Sequence, residues 1–207
     1  MASKDKIARV ISTIFHPLLM PTLGIFLLFQ LNTFMSFAVS TEARRFIFLI
    51  VFINTAIVPV LAVVILKRMG YIEDLILRDR GERILPLLIS SALFFMTYYL
   101  LRQLSLPTLL YYYFMGATLL VLLTLMISFV WKISIHMVSL GGLTGFLIVT
   151  SLLLGINIAF LIALAFLASG LTAASRLQLK AHTPAQVYTG FATGVAVMLM
   201  LFVYLRT

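Results

Sequence analysis

Three short polar clusters interrupt an otherwise apolar chain, and they hold the side chains able to do chemistry. They are Arg78-Asp79-Arg80-Gly81-Glu82-Arg83, Lys132-Ile133-Ser134-Ile135-His136, and the stretch from Ser175-Arg176 through His182. Guanidinium and ammonium groups beside two imidazoles suit phosphoryl transfer. In that reaction cations stabilise the equatorial oxygens while one group attacks phosphorus and another protonates the leaving oxygen. The order Thr183-Pro184-Ala185-Gln186 predicts a helix start, with Thr183 as N-cap, Pro184 at the first helical position and Gln186 closing a capping box. His182 then lies just ahead of a helix N-terminus, where the dipole and free amides favour a bound phosphate and disfavour an imidazolium. A neutral imidazole is the state a histidine nucleophile requires.

The elements that must position these residues are membrane helices. Of 207 residues, 63% are hydrophobic and only 10% charged, far below the quarter or so usual in a soluble domain. A water-soluble fold has no means of hiding that much apolar surface. Apolar stretches fall at about 17–39, 46–66, 84–101, 108–131, 137–154, 156–174 and 184–205, near the roughly 20 residues a spanning helix needs. The expected fold is an all-α integral membrane protein of about six to seven transmembrane helices, forming a single transmembrane domain over 1–207. His16-Pro17 and Pro21 predict a short interfacial piece over 7–15 that breaks before the first span. Lys4, Lys6 and Arg9 precede an apolar run too long for a cleaved signal, so that run is read as an anchor.

With seven spans, the N-terminus and the loops near 67–83, 132–136 and 175–183 share one face. That face carries all three histidines, His16, His136 and His182, and most of the Lys and Arg residues. The positive-inside rule would make it cytoplasmic. With the basic residues of a phosphate site set aside, the two faces are nearly even, so the side of the membrane is left unassigned. Lys plus Arg number 15 against 6 Asp plus Glu, for a net charge of +9, and the expected counter-charge is anionic lipid. Nucleic acid is not expected, because no segment is long and polar enough to form a broad basic face. The chain has no cysteine, which removes disulfides and Cys-ligated metals; no metal and no cofactor are expected.

Ser175-Arg176, five residues, then His182 resembles the third signature of the type 2 phosphatidic acid phosphatase superfamily, integral membrane phosphatases of lipid phosphates and diphosphates. Ser134 and His136 match the mutual spacing of Ser and His in that family's second signature, Pro-Ser-Gly-His, with Ile133 and Ile135 in place of Pro and Gly. The first signature, Lys, six residues, Arg-Pro, corresponds to the stretch from Arg78 to Pro86, with Ile76 where Lys would stand and Pro86 three residues beyond Arg83. The resemblance covers about 78–190. It implies that His182 is the nucleophile that becomes a phosphohistidine and His136 the general acid. It also implies phosphate binding by Arg176, Lys132, Ser134, Ser175, Arg78 and Arg83. Gln186 occupies the position of the Asp that orients the family's nucleophile. No Asp or Glu follows Glu82, so a substitute carboxylate is expected from Asp79 or Glu82.

The resulting expectation is a metal-independent phosphatase of a membrane lipid phosphate, in a bacterial inner (cytoplasmic) membrane; neither the lipid nor the oligomeric state is specified. The alternative is a non-catalytic phospholipid-binding or lipid-transport protein that retains the basic pocket. Plainer readings stand beside these. Arg78 to Arg83 reads equally as a solvated interfacial loop, Lys132 and Arg176 singly as snorkelling anchors, and His16 as a polar residue at a helix start. Gly141 with Gly145, and Gly190 with Gly194, have the spacing of close helix packing.

Overall fold

The computed structural model describes residues 3–31, 33, 37–74, 77, 79–104 and 106–206. Among the described residues the α-helices named here are, in chain order, α1 (Ser3–Ile14), α2 (Met20–Gln30), α3 (Thr41–Phe52), α4 (Val58–Arg68), α5 (Ile84–Arg102), α6 (Thr108–Ser128), α7 (Ile135–Leu154), α8 (Ala159–Gln178) and α9 (Pro184–Arg206). Among the described residues there is no strand. Seven helical segments are long and apolar enough to cross a membrane: Ser3–Gln30, Thr41–Arg68, Gly81–Arg102, Thr108–Ser128, Ile135–Leu154, Ala159–Gln178 and Pro184–Tyr204. The protein is thus an all-α integral membrane protein. An apolar helix satisfies its own backbone polar groups, and that is the condition for crossing hydrocarbon.

The first segment departs from its expected limits. The helix that begins at Met20 ends at Gln30, and helical structure extends back through α1 to Ser3. The break falls where the prolines predict it. His16 takes an extended conformation and caps the short 3-10 turn Pro17–Leu19, which leads into α2. Pro59 is accommodated by a π-helical turn at Ile53–Ile57. Proline has no N–H for the residue four before it and its ring crowds that carbonyl, so the wider turn relieves both.

Contacts divide the chain into two compact units, one of residues 1–20 and 132–207, the other of residues 21–131. In the second unit α5 and α6 pair most extensively, and the polar loop is held to its own neighbours. Arg80 Nη1 donates to Val130 O at 2.7 Å just beyond α6, and the buried Arg83 donates from Nε to Leu77 O at 2.9 Å.

The first unit comprises α1, the 3-10 turn, α7, α8 and α9. Its dominant pairing is α7 against α9, and glycines permit it. A Cβ at Gly194 would strike the Val138 carbonyl and the Gly142 amide, one at Gly141 would strike the Phe191 carbonyl, and one at Gly190 would lie 2.9 Å from Ser134 O. These neighbours are backbone atoms, which move only with their helix. Gly194→Ala is therefore expected to destabilise the protein by about 1–3 kcal/mol, the cost of overpacking a tight interface. Gly170→Ala, at an exposed position of α8 with nothing within 4 Å of the added carbon, is expected to leave stability unchanged or raised by up to ~1 kcal/mol through helix propensity. Thermal unfolding of both variants in detergent compares them; equal melting temperatures would remove the packing argument.

Candidate phosphate site at one end of the first unit

The close approach of α7 and α9 brings two of the polar clusters together. Ser134 N–H donates to the backbone carbonyl of Gln186 at 3.3 Å, so the loop before α7 is pinned to the first turn of α9. His136 stands at the start of α7, His182 just before α9, and Arg176 in the last turn of α8. These three helix ends meet. Arg176 and His182 both lie within electrostatic reach of the His136 ring.

The capping box predicted at α9 is present and does a second job. Gln186 N–H donates to Thr183 Oγ1 at 3.4 Å, and Thr183 N–H donates to Gln186 Oε1 at 3.2 Å. The same Oε1 lies 3.0 Å from His182 Nδ1. Because a backbone N–H can only donate, the Gln186 atom facing it is the oxygen. The imidazole nitrogen facing that oxygen is therefore the protonated one. In the neutral ring Nε2 then carries the lone pair, the arrangement a nucleophilic histidine needs. Gln186 thus holds the tautomer, although an amide cannot balance an imidazolium as a carboxylate does.

His136 is oriented the other way round. Its Nε2 lies 3.1 Å from the backbone carbonyl of Ser12 on α1. A carbonyl only accepts, so Nε2 bears the proton and Nδ1 the lone pair. Sequence reasoning missed this partner, since a main-chain carbonyl from a residue 124 positions away has no side-chain signature. His16 has a second contact that the sequence does not signal either. It is the helix-start residue expected, with Nδ1 accepting from Leu18 N–H at 3.4 Å, but its ring also meets His136 edge-on, with centroids 5.6 Å apart and planes at 76°. Arg176 acts electrostatically on it as well. That all three histidines fall on one predicted face was the available signal.

Arg176 is 8% exposed, and its Nε, like Ser134 Oγ and Ser12 Oγ, is a buried polar atom with no hydrogen-bond partner among the described residues. Such an atom costs about 1–3 kcal/mol, more on a charged group. Within the first unit the sequence supplies one carboxylate side chain, Asp5, and it accepts from Gln178 Nε2 at 3.2 Å. Among the described residues no group of three His, Asp or Glu side chains is arranged to hold a metal ion.

The remaining expected site residues fall as follows. Ser175 donates its hydroxyl proton to Leu171 O at 2.8 Å, so that proton is already engaged within α8. Lys132 is half-buried in the loop before α7. Arg83, Asp79 and Glu82 belong to the second unit, where Asp79 Oδ1 accepts from Gly81 N–H at 2.8 Å and Glu82 Oε1 from Glu73 N–H at 2.6 Å. Arg78 lies outside the described residues. Conversely, Ser12 and His16 stand N-terminal to the 78–190 stretch that carries the sequence resemblance.

No family model, no curated protein and no solved structure matches the chain.

Proposed function

We propose that the protein is a lipid phosphatase, hydrolysing a phosphate ester at the membrane boundary through a phosphohistidine on His182. The observation that carries this reading is the buried guanidinium of Arg176, its Nε unpartnered, among imidazoles in a unit whose one carboxylate is engaged elsewhere. An anionic ligand satisfies both the charge and the hydrogen-bonding deficit, and phosphate matches the guanidinium fork. His182 Nε2 would attack phosphorus, Arg176 would stabilise the transferring group, and His136 would carry the proton to the departing lipid oxygen. The resemblance of Ser175-Arg176 to His182 and of Ser134 to His136 to the phosphatidic acid phosphatase signatures supports the same roles.

A second reading has one specific observation behind it. Gln186 holds His182 through an amide, and an amide leaves the imidazolium or phosphohistidine without a balancing charge. A phospholipid-binding or lipid-transport protein needs the cation and has no need of that balance.

Phosphate release by the purified protein, from a panel of phosphatidic acid, phosphatidylglycerophosphate and polyprenyl phosphates and diphosphates, separates the two. Release from at least one lipid, undiminished by chelator, is expected. Binding of these lipids with no release from any of them would establish the carrier instead.

A further inference from the structure

Resting on the phosphate-site reading, we propose that His16 is a phosphate ligand that donates from Nε2, and that with His136 it selects a phosphomonoester over a phosphodiester. The case begins with the two tautomers. Leu18 N–H occupies His16 Nδ1, so the proton of the neutral His16 ring sits on Nε2. The Ser12 carbonyl, one helical turn earlier, faces His136 Nε2, so that ring's bare nitrogen is Nδ1. One short segment, Ser12 to His16, therefore sets two neighbouring imidazoles in opposite senses, one a donor and the other an acceptor, with centroids 5.6 Å apart. The buried Arg176, whose Nε is an unpartnered donor, acts electrostatically on both.

A monoester in its monoanionic form complements this set. Two of its oxygens accept, from Arg176 and from His16 Nε2–H, and its P–OH donates to His136 Nδ1. A phosphodiester of the same charge has no P–OH and would leave that nitrogen facing a second acceptor. The proton balance of the reaction then closes. As the His182 Nε2–P bond forms and the bond from phosphorus to the lipid oxygen breaks, the proton His136 has taken from P–OH passes to the departing oxygen. The lipid leaves as the neutral alcohol. Water then attacks phosphorus, the N–P bond breaks, and His182 is restored with release of inorganic phosphate.

The test uses two substitutions that each keep one half of the His16 imidazole. In His16→Asn the amide oxygen can still cap Leu18, since Asn is among the best N-cap residues, but the distal donor is gone. In His16→Gln an N–H is available at the distal position and the cap acceptor is lost. Full-length wild type and both variants are placed in phosphatidylcholine nanodiscs containing either phosphatidic acid or phosphatidylglycerol, and binding and turnover are measured. Wild type should prefer phosphatidic acid. His16→Asn should bind it about tenfold more weakly, the loss of one charge-assisted hydrogen bond, while His16→Gln stays within about threefold of wild type. Millimolar inorganic phosphate should compete, because the ligands grip the phosphate group; tight phosphatidic acid binding that phosphate does not displace would assign recognition to the glyceride and overturn the proposal. Wild-type affinity in His16→Asn, or an inverted order of the variants, would reduce His16 to a cap. Equal binding of phosphatidylglycerol by wild type, with phosphate still released from phosphatidic acid, would end the monoester selection while leaving the phosphatase standing. A wild type that neither binds nor hydrolyses phosphatidic acid or any other lipid phosphate of the panel would take the phosphate-site reading down as well.

Discussion

His182→Ala is expected to lower phosphate release by roughly 10³-fold or more, the scale seen when a nucleophile is removed from a covalent mechanism, and to abolish acid-labile phosphate on the protein. The expectation follows from the tautomer. Gln186 Oε1 takes both the Thr183 N–H and the His182 Nδ1–H, so the ring is held with its lone pair on Nε2. Removing the ring leaves Gln186 still able to close the capping box with Thr183, and α9 should keep its start. The loss would then be chemical, with lipid binding through Arg176 largely kept. His136→Ala should instead slow release by about 10²–10⁴-fold, as for a general acid, with the nucleophile still present. Rapid-quench analysis for phosphohistidine, run beside a binding assay, reads both. Robust turnover by His182→Ala would remove the nucleophile assignment.

Arg176→Met is expected to lose function and gain stability together. Met is linear and apolar and can follow the path of the arginine stem. In the ligand-free protein the substitution removes a buried guanidinium whose Nε has no partner among the described residues, and relief of that penalty should raise stability by about 1–3 kcal/mol. Phosphate release should fall by roughly 10³-fold or more, because a guanidinium on a transferring phosphoryl group is worth about that much. Ligand response should invert as well. Phosphatidic acid should raise the melting temperature of the wild type, by mass action on the folded state, and leave the variant unmoved. Thermal unfolding in detergent with and without lipid gives both numbers. A variant that melts below the ligand-free wild type would mean that Arg176 holds the fold together, and the anion-site argument would lose its main support.

The two variants bear on different links of one chain of causes. His182 depends on a local motif, the helix start at Thr183 to Gln186, whereas Arg176 depends on packing that buries the end of α8 against α1 and α7. Their separate behaviour therefore reports whether the site is assembled as well as whether each group acts.

Features governed by residues near one another in the chain were legible in the sequence. The spans follow from apolar runs of bilayer length, because hydrocarbon leaves a chain little choice but helix. The break at His16-Pro17 and the capping box at Thr183 to Gln186 follow from local hydrogen-bonding rules. The glycine pairs on α7 and α9 follow from spacing along a helix face, and the backbone approaches at Gly141, Gly190 and Gly194 bear this out. Even the shared placement of the histidines could be read, since spans alternate sides. Tertiary structure alone decided that a main-chain carbonyl from α1 orients His136, that His16 meets it, and that Arg176 is buried. Carbonyls are the same at every residue and a hydrogen bond to one leaves no mark on composition. Which helix end lies against which is set by packing between segments remote in the chain, α1 against α7 and α8 above all, and no local pattern of side chains encodes that.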